Sequence, residues 1–156
     1  MTQVCRLLRV AVGGLIVALV LSVAMGVFYR YALRESLYWA TEVPNFMLIW
    51  IVFLGAVIAF HEKQHIAFTL LQEMLPQRGN ALLDLIATLI VISFLLVFAV
   101  FGAKLVLVTM NSLSEALKIP MGYVYACLPL SATLMTISAL GKAWEAVLRL
   151  TGKVSP

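Results

Sequence analysis

The sequence predicts an all-α integral membrane protein with four transmembrane helices, short interfacial amphipathic helices and both termini in the cytoplasm. Three observations predict it. Four long runs, Val10–Tyr29, Val43–Phe60, Leu85–Ala103 and Ile119–Gly141, contain no Asp, Glu, Lys, Arg or His. Each approaches the roughly 20 apolar residues that a helix needs to cross the hydrocarbon core. The 156-residue chain is 63% hydrophobic and only 12% charged, with a mean hydropathy of +1.06, whereas a soluble domain is about half apolar and a quarter charged. The runs are also continuous rather than alternating, which selects helices over a barrel. Residues 1–156 therefore read as a single four-helix transmembrane domain, with spans of about 8–29, 43–60, 85–106 and 119–141.

The net charge of +4 would suggest a nucleic-acid partner in a soluble protein. Here the basic residues sit at the ends of apolar runs, where they set orientation and meet lipid headgroups. No basic stripe with interleaved aromatics occurs, so membrane lipids are expected as partners and nucleic acid is not. Arg6, Arg9, Lys63, Arg78, Lys142, Arg149 and Lys153 fall on one side of the spans, and Arg30, Arg34, Lys104 and Lys118 on the other. Seven against four places the termini in the cytoplasm. Cys5 and Cys127 lack CxxC spacing and suggest neither a redox pair nor a metal site. Arg6 and Arg9 ahead of an apolar run, with Ser22-Val23-Ala24 inside it, faintly imitate a secretory leader. The run continues to Tyr29, longer than the 7–15 residues usual for a leader core, and reads as an uncleaved first span.

In span one, Gly13, Gly14, Ala18, Ser22 and Gly26 form a small-residue stripe that would let another helix approach closely. In the first connection, Arg30–Glu42, Leu33, Leu37, Tyr38 and Trp39 suggest one face of a short interfacial helix, with Tyr29 and Tyr31 also at headgroup level. Thr41 suits the N-cap of span two, and Glu42 and Pro44 suit its first turn. In the second connection, Ile66, Leu70, Leu71, Met74 and Leu75 recur at helical spacing, suggesting an amphipathic helix that Pro76 and Gly79 end. Span three is expected to be long, because Leu105–Leu113 stays apolar beyond Lys104, whose side chain would snorkel. Asn111-Ser112-Leu113-Ser114 reads as a turn. Span four starts at Ile119-Pro120 and should kink at Pro129.

Chemistry is sparse. His61-Glu62-Lys63-Gln64-His65 has the letters of HExxH, in which two histidines bind zinc and the glutamate acts as base. No third histidine exists, and the segment lies at a membrane boundary. A four-helix membrane enzyme with a metal at His61 and His65 is one alternative, and a stand-alone homo-oligomeric exporter is another. No phosphate-binding, dinucleotide or nucleophile-elbow motif occurs, and no acid lies within a span, where ion-coupled carriers usually keep functional charge. The expectation is a protein that is not an enzyme and carries no catalytic residue, substrate site, metal or cofactor. The remaining charged constellation is Arg30, Arg34, Glu35 and Glu42 around Trp39. It offers a docking surface in which Arg30 pairs with Glu42 or with a carboxylate of a neighbouring subunit.

Arg30-Tyr31, Trp39 with Glu42, Trp50 through Gly55, His65-Ile66, Ile119-Pro120, Tyr123 and Leu128-Pro129 occur in an order that resembles the small membrane subunit of TRAP transporters, the DctQ-like family. The resemblance covers roughly residues 10–145. One departure is that the family often has two adjacent acids after the tryptophan, whereas Val43 follows Glu42 here. The resemblance implies a tripartite secondary transporter of the bacterial inner membrane. A periplasmic binding protein captures an organic acid, such as a C4-dicarboxylate or a sialic acid. A large membrane subunit then carries the acid across by a sodium-driven elevator motion. The small subunit implied here would be a non-catalytic scaffold, in a stable heterodimer with the large subunit and in transient contact with the binding protein. The structural residues expected on that basis are Arg30, Tyr31, Trp39 and Glu42 in the periplasmic-side connection. Trp50, Gly55 and Pro129 are expected in helix packing, and His65 at the cytoplasmic interface.

Overall fold

The computed structural model describes residues 2–35, 37–63 and 77–150, and every long element in them is a helix. Helix α1 is Thr2–Phe28, continued by a π-helical turn at Tyr29–Leu33. Helix α2 is Glu42–Lys63, α3 is Gln77–Thr109, α4 is the short Met121–Tyr125 and α5 is Cys127–Leu150. Four stretches are long and apolar enough to cross a membrane: Cys5–Leu33, Glu42–Glu62, Leu85–Thr109 and Met121–Gly141. The four expected spans are thus present. His65 and the amphipathic helix expected over 66–75 lie outside the described residues.

The connection after α1 differs from the expected interfacial helix. Arg34 adopts the left-handed conformation, with φ 55° and ψ 23°, and turns its N–H back onto the Tyr29 carbonyl. The Glu35 N–H reaches the same oxygen at 3.3 Å. These bonds cap the π turn and end the helix, since an L-residue at positive φ does not propagate a right-handed one. Tyr38–Thr41 form a turn instead, with the Ala40 N–H on the Leu37 carbonyl. The short helix that does form is α4, which sequence reasoning missed as a separate element. Pro129 has no N–H to give the Tyr125 carbonyl, so the fourth span breaks at Ala126. Pro120 occupies the N-cap of α4 rather than its first helical position.

Among the described residues, α1 packs on α2, α2 on α5, and α5 on α3, giving a row in the order α1–α2–α5–α3. Helices α2 and α3 meet through side chains, with Phe53 stacked on Phe98 at 6.1 Å between ring centroids. The buried apolar residues are Leu54 and Val57 of α2, Ile92 and Leu95 of α3, Val124 of α4, and Cys127, Ala132 and Ala139 of α5. Small residues set the approach of α3 to α4 and α5, as expected where lipid supplies no hydrophobic drive between helices. A Cβ on Gly102 would stand 3.3 Å from Pro129 Cδ and N, and one on Gly122 would stand 2.9 Å from the Val106 carbonyl oxygen. Several hydroxyls bond the carbonyl four residues back, as Thr109, Thr133 and Thr136 do, which keeps them satisfied without water. Helix α1 buries none of its most apolar stretch.

Candidate docking site at the loop end of the helix row

Glu42 organises one end of the row. As the first residue of α2 it has its carboxylate free of the helix backbone, and that carboxylate reaches the α3–α4 loop. The Ala116 N–H donates to Oε1 at 2.8 Å and the Leu117 N–H to Oε2 at 3.1 Å. The loop is built to present these donors. Ser114 N–H donates to the Ile119 carbonyl at 2.9 Å, Met121 N–H to the Ser112 carbonyl at 2.9 Å, and Leu113 pairs with Pro120 as an antiparallel bridge. The Ser114 Oγ, in a buried side chain, accepts the Ile119 N–H. Lys118 takes φ 55° to reverse the chain. The tip, 115–117, thereby turns successive backbone N–H groups toward one point. An ionised carboxylate suits such a cradle, because charge-assisted bonds are shorter and stronger than neutral ones.

This arrangement corrects the expected partner of Glu42. Arg30 lies exposed on the π turn and has no ion-pair partner among the described residues. Tyr31 and Tyr38 are likewise exposed, whereas Trp39 is half-buried in the turn and its carbonyl accepts the Val43 N–H at 3.1 Å. The structure thus brings Trp39 and Glu42 onto the loop end and leaves Arg30 and Tyr31 on its surface. Trp50 and Gly55 lie half-buried within α2, and nothing stands within 4 Å of the place a Gly55 Cβ would occupy. Pro129 packs on Gly102. His65 lies outside the described residues. Sequence reasoning missed Ser114, Ala116, Leu117 and Lys118. The two amide donors act through backbone and leave no side-chain signature, and only the preceding turn signal pointed to the loop.

The opposite end of the row carries one ion pair, between Arg9 of α1 and Glu62 of α2. Glu62 is the residue that a zinc-dependent hydrolase would use as its base, and here a guanidinium engages it. Among the described residues no three His, Cys, Asp or Glu side chains stand together as a metal site. In the α1 stripe, Gly26 approaches Ala40, while a Cβ on Gly13 or Gly14 would meet nothing within 4 Å.

A family model described as the DctQ component of tripartite ATP-independent periplasmic transporters matches residues 19–149. The chain belongs to the DctQ family. A curated relative from Haemophilus influenzae, described as a TRAP transporter small permease protein, is 36% identical over 70 residues. That match spans 45% of this chain and 44% of the relative. The Glu42 clamp and the α3–α5 contact fall inside the DctQ match, and Arg9 falls outside it. With its four apolar helices, this DctQ protein is a multi-pass protein of the bacterial inner membrane.

Proposed function

We propose that this DctQ protein is the non-catalytic scaffold subunit of a sodium-coupled TRAP transporter. It holds the stationary part of a large elevator-type membrane subunit while that subunit takes up an organic acid delivered by a periplasmic binding protein. The observation that carries the reading is the open helix row. Its members have bare apolar flanks, and among the described residues no acid lies between the end residues of a span and no ligand cluster occurs to serve ion coupling. Those exposed apolar flanks offer a partner something to pack on, and an elevator needs a frame because its moving part must slide against something fixed. The loop end, with Arg30, Arg34 and two exposed tyrosines, suits the periplasmic side, where the binding protein arrives.

The test is reconstitution. Proteoliposomes receive the large subunit and binding protein of the same system, with or without this chain, under an inward sodium gradient. Uptake that requires the chain, together with no uptake by the chain alone, is the expected result. Full uptake without the chain, or transport by the chain alone, overturns the proposal.

A further inference from the structure

The loop amides hold Glu42, so Arg30 lacks the partner expected for it, and neither Arg30 nor Arg34 has an ion pair among the described residues. Both are exposed, and the exposed Glu35 beside them pairs with neither. Their depth is set by the first span, Cys5–Leu33. Arg30 lies three residues inside its loop end and Arg34 one residue beyond it, so both stems can carry their guanidinium into the headgroup zone. Tyr31 and Tyr38, 77% and 70% exposed, stand at the same end, as amphipathic rings do at a membrane boundary. The backbone at Arg34 is held at φ 55° by the Arg34 and Glu35 N–H groups on the Tyr29 carbonyl. An L-residue takes that conformation at a cost, and such cost collects at functional positions.

From Arg30 into the membrane, the same face of α1 continues as Val27, Val23, Val20 and Ile16, at spacings of three and four, and all are exposed. Each is β-branched, so the ridge is stiff and loses little rotamer freedom on contact. It lies beside Leu19, Ser22 and Gly26, which are part-buried where α1 meets α2. Val27 to Ile16 spans about 16 Å at 1.5 Å rise per residue, close to one leaflet, or about half of a roughly 30 Å hydrocarbon core. An apolar track of one leaflet's depth, headed by unpaired guanidiniums at headgroup height, fits a phospholipid. Guanidinium suits phosphate because it grips two oxygens through parallel N–H bonds. A head with net negative charge fits best, since a zwitterionic head brings its own cation to the phosphate.

We infer that Arg30 and Arg34 form a binding site for the phosphate of an anionic phospholipid in the leaflet at the loop end, with one acyl chain lying along Val27, Val23, Val20 and Ile16. The site goes beyond the scaffold role and is independent of it. The test uses the full chain carrying the photo-cross-linker p-benzoylphenylalanine at Val23, in nanodiscs of equal phosphatidylglycerol and phosphatidylcholine. The mass of the adduct identifies the lipid. The otherwise wild-type chain should favour phosphatidylglycerol by at least about tenfold, since each basic residue at a charged membrane surface contributes a factor of about five. Arg30→Gln with Arg34→Asn should bring the two adducts close to parity, and Arg30→Lys with Arg34→Lys should keep most of the preference. Asparagine tolerates the left-handed conformation at position 34, and an unchanged circular dichroism spectrum separates lost charge from lost fold. Excess inorganic phosphate should leave the yield unchanged, because it has no acyl chain to lie on the ridge. In native membranes the same cross-linker should again capture phospholipid. Parity of the two adducts in the otherwise wild-type chain, an unchanged preference in the Gln/Asn variant, or displacement by phosphate overturns the inference. So does a protein adduct in native membranes, which would show that a protein covers this flank of α1.

Discussion

Glu42 shows how far a single residue can be read. An acid at the start of an apolar run reads as a favourable helix-dipole charge, and α2 does begin there. Its partners are not legible, because they are backbone N–H groups 74 and 75 residues away, held in place by a loop whose side chains are otherwise ordinary. The consequence is testable. Glu42→Ala should insert normally yet loosen the loop, so that amide hydrogen exchange of 111–120 speeds up and uptake by the assembled transporter falls. Glu42→Gln retains one acceptor oxygen and should fall between wild type and Glu42→Ala. Arg30→Ala should leave that exchange unchanged, since Arg30 does not pair with Glu42. If it too weakens uptake, Arg30 acts on a partner. An Arg30→Ala chain whose loop exchanges as fast as that of Glu42→Ala would contradict this division of roles.

At the scale of elements, hydropathy defined the helices well and their ends poorly. Continuous apolar runs with no internal charge leave the backbone only a helix in lipid, so the spans were legible. The π turn, the left-handed Arg34 and the break at Ala126 depend on particular hydrogen bonds and were not, although Pro129 announced a kink. The glycines divide in a way that sequence alone does not show. A Cβ on Gly122 would stand 2.9 Å from the Val106 carbonyl oxygen and one on Gly102 would stand 3.3 Å from Pro129, whereas one on Gly55 would meet open space. Gly122→Ala should therefore destabilise the chain by about 1–3 kcal/mol through overpacking, and Gly102→Ala should cost less because its neighbours need yield only slightly. Gly55→Ala should leave the thermal midpoint of the detergent-solubilised chain unchanged. Thermal unfolding of the three variants checks this order, and a Gly55→Ala midpoint as low as that of Gly122→Ala would show that the α2 face is more crowded than described. Unchanged stability with lost retention of the large subunit would instead place Gly55 at an intersubunit contact.

At the scale of the whole molecule, the row of helices and its sidedness come from different physics. The row follows from which small residues permit close approach, and α1 is tied to the turn before α2 by Gly26 against Ala40 at one end and to α2 itself by Arg9 with Glu62 at the other. That ion pair is exposed and should contribute no more than about 1 kcal/mol. Sidedness follows from the distribution of basic residues, seven against four, and the native cysteines allow it to be measured. Cys127 is fully buried, Cys5 is half-exposed near the start of α1, and Tyr38 at the loop end is 70% exposed. In intact cells with a permeabilised outer membrane, a membrane-impermeant maleimide should therefore leave the wild-type chain unlabelled and label Tyr38→Cys. Opening the inner membrane should then add Cys5 but not Cys127. Labelling of Cys5 before that step, with Tyr38→Cys protected, would reverse the orientation. It would put the Glu42 loop in the cytoplasm, where a periplasmic binding protein cannot reach it, so this one experiment also decides whether the loop end can receive that partner.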